Sequence, residues 1–235
     1  MIMGAAIMAD AYSRSPKRSW SEAVATLVHP RAITMLFLGF SAGLPILLIF
    51  STLSVWLREA GVQRATVTFF SWAALGYSFK FTWAPIIDRL PFPYLTAKMG
   101  RRRGWLLVSQ LALVFSMLWT SLFDPQNTLT MTAIGAVLIG FSSASQDIVI
   151  DAYRIESAEA SLQSMLASMY IAGYRIGMLT AGAGSLWLAD WWGSDAYEFT
   201  AWANVYRLMA ALMIVGITTT LVIREPEVRT RQTDA

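Results

Sequence analysis

The sequence has no cysteine and only one histidine, His29. Disulfides, iron–sulfur clusters and Cys/His zinc sites are thereby excluded as organising chemistry, and neither a metal nor a cofactor is expected. No HExxH, Gly-x-Ser-x-Gly or paired His/Asp arrangement is present, so the chain is not expected to be an enzyme. Charge is scarce as well: 14% of residues are charged and the formal net charge is +3. The basic residues stand beside apolar segments, where they act as topology determinants, so no nucleic-acid partner is expected. Residues Met1 to Asp10 lack the positive start, apolar stretch and cleavage site of a secretory signal and are expected to be a cytoplasmic tail.

Apolar side chains dominate what is present. Of 235 residues 56% are hydrophobic, and the mean hydropathy is +0.50. That is too much apolar surface for a water-soluble domain of this length, so lipid is the expected solvent. A crossing needs roughly 20 apolar residues at about 1.5 Å each. Six spans meet that need: Ala32 to Leu57, Ala65 to Ile87, Gly104 to Phe123, Leu129 to Ala152, Leu162 to Ala189 and Ala203 to Ile223. The expected fold class is all-α, an integral membrane six-helix bundle over residues 32–223. It is preceded by a tail, residues 1–31, and followed by a polar segment, residues 224–235, that is a second tail or the start of a central loop. Ser19 and Glu22 have capping-box spacing, which with Trp20, Val24, Leu27 and Val28 suggests an interfacial helix ended by Pro30; a soluble stub fits equally.

Placing the amino terminus inside puts Arg14, Lys17, Arg18, Arg31, Arg89, Lys98, Arg101, Arg102, Arg103, Arg154, Arg224, Arg229 and Arg231 in the cytoplasm, against Arg58, Arg64 and Arg207 outside. This asymmetry makes both termini cytoplasmic. Trp187, Trp191, Trp192, Tyr197 and Trp202, between the last two spans, are expected as headgroup anchors.

Ionisable residues within spans cost about 2.5 to 3.5 kcal/mol each on insertion scales, so each is a candidate functional residue. Lys80 lies two turns before Asp88, roughly 12 Å inside the interface, sharing a face with Gly76, Tyr77, Trp83 and Ala84. Ser143, Asp147, Asp151 and Arg154 form one helical stripe, and Ser142 to Asp147, including Gln146, brings a polar turn into the membrane. Arg154 and Asp151 also suit a plain helix end. Arg175 is flanked by Gly173 and Gly177, with Tyr170 and Tyr174 nearby; its guanidinium needs a carboxylate, from Asp147 or from a substrate. Gly39 and Gly43 have the same small-residue spacing in the first span, followed by Pro45, so a close-packed, kinked helix is expected there.

Asp88-Arg89, followed after an insertion by Gly100-Arg101-Arg102-Arg103, resembles the signature loop between the second and third helices of major facilitator transporters, with Ala84 in place of the leading glycine. Within that superfamily the chain from Leu38 to Pro226 resembles the AmpG muropeptide permeases. The segments that carry this are Gly39 to Pro45, Phe79 to Pro85, Gly100 to Leu107, Ser143 to Ala152 and Gly173 to Leu179. The resemblance implies one half of a major facilitator fold and proton-driven import of anionic anhydro-muropeptides across the bacterial inner membrane for peptidoglycan recycling. It further implies a charge latch of Asp88, Arg89, Arg101, Arg102, Asp151 and Arg154. Lys80, Asp147, Arg175, Tyr174, Tyr77 and Gln146 become the candidate residues for substrate binding or proton coupling. Related acetyl-CoA transporters share similar motifs, and a non-transporting scaffold with fixed internal charge pairs is the alternative from another class. No second set of six spans follows the polar segment after Ile223, so a carboxy-terminal half is an expected partner and transport by the chain alone is not expected.

Overall fold

The computed structural model describes residues 29–70, 79–194 and 196–226. The described elements are helical, and no strand occurs among them. Among the described residues three stretches are long and apolar enough to cross a membrane, Pro30–Glu59, Pro125–Ser157 and Phe199–Val222. The expected interfacial helix and Tyr77 lie outside the described residues.

Helix α1 (Pro30–Leu47) begins at a proline, whose missing N–H costs nothing in a first turn. His29 caps it, Nδ1 accepting from the Arg31 amide at 3.2 Å. Pro45 lies inside the helix, and a π turn (Leu48–Thr52) follows, leading into α2 (Leu53–Glu59). The bend expected near Pro45 takes this form, an extra residue in the turn. Helices α3 (Arg64–Phe70) and α4 (Lys80–Arg89) flank an undescribed segment. A short α5 (Leu95–Met99) precedes α6 (Arg101–Thr120). The longest helix, α7 (Pro125–Ser157), is capped by Asp124, whose carboxylate accepts from the Gln126 amide at 3.0 Å. Then come α8 (Ala160–Leu179), a second π turn (Thr180–Gly184), α9 (Ser185–Trp192), α10 (Phe199–Leu212) and α11 (Ile214–Val222).

Helix α8 packs along α1, and α7 packs on α6 with α1 and α4 alongside; α10 and α11 close on α6, and α11 also touches α1. The α1–α8 seam follows from four glycines. A Cβ on Gly39 would fall on the Tyr170 carbonyl, one on Gly43 on the Tyr174 carbonyl, one on Gly173 on the Leu36 carbonyl and one on Gly177 on the Phe40 carbonyl. The two small-residue motifs therefore meet each other, and backbone touches backbone.

Two apolar clusters fill the bundle. One surrounds Trp56, with Leu48, Leu113, Met117, Trp202 and Tyr206; the other joins Met35, Leu38, Ile87, Leu106, Val149 and Leu166. Large apolar side chains also point outward: Phe81, Phe115, Leu122, Val137, Leu179 and Val222 are all exposed. Water would penalise such a surface, whereas acyl chains accept it.

Candidate functional site

Asp147 stands on α7 immediately after a run, Ser142 to Gln146, that is buried without interruption. The Tyr170 hydroxyl of α8 donates to its Oδ1 at 3.4 Å. Tyr170 and Tyr174 pack ring against ring, 5.8 Å between centroids. The charges of Lys80 and Asp151 act on the Asp147 carboxylate, the first attractive and the second repulsive, and no direct ion pair joins Asp147 to Lys80 among the described residues. Lys80 opens α4, whose Trp83 packs against Phe141 of α7 at 4.8 Å between centroids. One residue before Asp147, Gln146 is fully buried with its amide oxygen and nitrogen both unbonded among the described residues, and the Trp83 indole N–H is likewise buried without an acceptor among them. Three helices thus bring together an acid, two phenols and the field of a cation. Arg175 was expected to face inward with them, but it lies exposed on α8. It follows Tyr174 by one residue, so the turn of the helix carries it off the seam that Gly173 and Gly177 press against α1.

The charged loop forms a second group. Arg102, 7% exposed, is its hub. One guanidinium nitrogen meets Asp88 at 2.6 Å, and the fork grips Glu156 at 2.5 Å. Burial works against the charge of Arg102, but the hydrogen bonds to Glu156 and Asp88 outweigh it and raise the pKa above its ordinary value. Arg101 instead reaches the Asp88 carbonyl at 2.6 Å. Arg103 donates to the carbonyls of Thr220 and Leu221, at 3.1 and 2.7 Å, capping the end of α11. Glu225 returns the arrangement at the start of α6, its two oxygens accepting from the amides of Arg102 and Arg103 at 2.7 and 3.0 Å. Gly100, at φ +91°, is doubly required, because a Cβ there would also overlap the Glu225 side chain. Asp151 and Arg154 meet each other at 3.4 Å, apart from this hub, and Arg89 is exposed. Glu156 and Glu225 were absent from the expected set.

The opposite end of the bundle holds a third group. Asp124 accepts from the Tyr197 hydroxyl at 2.7 Å, Tyr197 accepts from the Trp56 indole at 3.2 Å, and Trp202 donates to Glu59 at 2.8 Å. Burial and the bond to Asp124 push the Tyr197 phenol above its ordinary pKa. Trp187, Trp191 and Trp192 are exposed as anchors would be, but Trp202 is 2% exposed and stacks on Trp56, so it belongs to the core. An indole carrying a polar edge fits either place, and the Glu59 acceptor decides for the interior.

An ionisable cluster held inside a helical bundle whose exterior is hydrocarbon is the build of a membrane transporter. The Major Facilitator Superfamily model matches residues 32–235, and the chain belongs to that superfamily. It is 40% identical over 198 residues to the anhydromuropeptide permease of Escherichia coli (strain K12), a stretch that covers 84% of this chain and 38% of the relative. It is also 34% identical over 197 residues to the putative transporter AmpG 4 of Rickettsia conorii, and 38% identical over 201 residues to AmpG 3 of Rickettsia typhi. These matches cover 84% and 85% of the chain and 46% of each relative, so the chain spans less than half the length of the curated relatives it matches.

Proposed function

We propose that the chain forms a six-span half of a proton-coupled importer of anhydro-muropeptides in a bacterial inner membrane, with both termini cytoplasmic. Asp147 carries this reading: a carboxyl within the bundle, touched by Tyr170 and in the field of Lys80, on a chain similar to an anhydromuropeptide permease. Taking up a proton there removes a charge that the membrane interior penalises, so protonation is coupled to the change between open states. Lys80 and Arg175 attract the lactyl and peptide carboxylates of the substrate, and the exposed side of Arg175 is free to meet either substrate or a carboxy-terminal half. Tyr77, Tyr170 and Tyr174 supply rings for the sugars, and Gln146 offers both an N–H and a C=O to an amide or hydroxyl. The Arg102 hub, with Asp88, Glu156, Arg101 and Glu225, latches one conformation, flanked by Arg89, Asp151 and Arg154. The excess of arginine at this end supports its cytoplasmic placement.

Uptake of labelled GlcNAc-anhydro-MurNAc peptide into energised membrane vesicles tests this, with the chain alone and with a carboxy-terminal half supplied. Accumulation that needs the second half and collapses with a protonophore is expected, and Asp147→Asn should lose it. Wild-type accumulation ratios with Asp147→Asn would remove this residue from the coupling role, and no uptake with the second half present would favour the scaffold alternative.

A further inference from the structure

At the end of the bundle where Arg31 and Arg224 stand, two cavities meet. One, about 490 Å³, is an apolar groove between α1 and α11, walled by Ile33, Phe37, Ile214, Val215 and Val222. The other, about 550 Å³, is polar and contains Arg31, Arg224, Glu156 and Glu225. They share Thr34, Val222 and Ile223, so one continuous channel runs from the bundle's end along its flank.

The charges in the polar part do not cancel. Glu156 is engaged by Arg102 and Glu225 by the α6 amides. The Thr34 and Ser157 hydroxyls donate to their own helices. Arg31 and Arg224, both exposed, form no ion pair among the described residues. The segment bearing Arg224 is held in place by the Tyr153 hydroxyl, which donates to the Arg224 carbonyl at 3.2 Å. Two guanidinium groups that no carboxylate pairs with among the described residues therefore line the mouth of the groove, a setting suited to an anion.

The α11 wall of the groove is about as long as one leaflet is deep. Ile214 to Ile223 covers about 14 Å of helix at about 1.5 Å per residue, close to half of a hydrocarbon core about 30 Å thick. We infer that this channel binds one anionic phospholipid, its phosphate between Arg31 and Arg224 and one acyl chain in the groove between α1 and α11. The site rests only on the chain being embedded in a bilayer and is independent of the transported substrate.

A photoactivatable phosphatidylglycerol with a diazirine in its acyl chain, diluted into phosphatidylcholine nanodiscs holding the full chain, tests the site. Labelling is expected on peptides containing Ile33 to Phe37 and Ile214 to Val222, competed by unlabelled phosphatidylglycerol and not by phosphatidylcholine. Arg31→Gln with Arg224→Gln should weaken the competition roughly thirtyfold. Thr218→Trp, on the exposed wall of the groove, should block labelling with both arginines intact, and it keeps the test open if the double variant fails to fold. Equal labelling by a phosphatidylcholine analogue would mean ordinary boundary lipid, and no labelling at all would mean that protein covers the groove; either result overturns the inference.

Discussion

Thr52 donates a hydrogen bond of 2.7 Å to the carbonyl of Ala181. The two residues sit in the two π turns, so the wide turn of one helix is tied to the wide turn of its neighbour. A π turn shifts a carbonyl out of the i→i+4 ladder, and in lipid such a group must find another donor. The Tyr206 hydroxyl serves the Leu48 carbonyl in the same way, at 3.0 Å.

Replacing Thr52 by Val keeps the shape and removes the donor, leaving the Ala181 carbonyl bare. Stability in detergent should fall by about 1 to 2 kcal/mol, and Thr52→Ser should restore most of it. Identical thermal unfolding of Thr52→Val and wild type would show that the tie contributes nothing.

The glycine seam makes a sharper contrast. Gly173→Ala drives a methyl group into the Leu36 backbone and should cost about 1 to 3 kcal/mol or more. At Gly184 the nearest atom to an added Cβ is 3.8 Å away, so Gly184→Ala should be neutral or slightly stabilising. Denaturant titration of both variants compares them directly, and equal midpoints would contradict the packing described.

Arg102 and Arg154 carry the same charge with different consequences. Arg102→Gln removes the shared partner of Asp88 and Glu156, both of which keep contact with solvent, and should destabilise by about 1 to 3 kcal/mol, with Arg102→Lys a poor substitute because it lacks the fork. Arg154→Gln breaks a looser pair at 3.4 Å with an exposed Asp151 and an equally long bond to Gln163, and should change stability by less than about 1 kcal/mol. Chemical unfolding of the three variants separates the two positions; a larger loss at Arg154 would reverse their assignment.

Tyr197 predicts a response to alkali. Its folded pKa is raised above the ordinary value of 10.0, so only the unfolded chain ionises as pH climbs past that value. The stability tied to the neutral phenol is complete below about pH 10 and is lost above it. Wild type should therefore weaken more steeply than Tyr197→Phe above pH 10, followed by tryptophan fluorescence; parallel curves would dismiss Tyr197 as the source.

Some of this was open to inspection in the chain itself. Gly39, Gly43, Gly173 and Gly177 announced a close seam because small residues one turn apart have little other use between membrane helices. Asp147 was visible as a charge in an apolar run, a single-residue anomaly that needs no partner to be noticed. The choice of Arg102 over Arg101 as hub was not legible, since three successive arginines differ only by the rotation of the helix that carries them. The direction of Arg175 was hidden for the same reason: its neighbours fixed the seam, and one further residue leaves it exposed on α8. Trp202 was assigned to the interface by composition, a signal silent about which side of the helix an indole takes, and Glu59, its acceptor, lies 143 residues away. The π turns left no mark beyond Pro45, because the extra residue is tolerated through distant donors.

Glu225 completes the first turn of α6, yet it lies 123 residues beyond Arg102. During synthesis at about 5 to 20 residues per second, roughly 6 to 25 s pass between the two leaving the ribosome. Throughout that interval the amides of Arg102 and Arg103 have only water or headgroups for company. The cap on α6 is therefore a late event in biogenesis, set only after α11 has been made, whereas the grip of Arg102 on Asp88 and Glu156 can form as soon as α7 is complete.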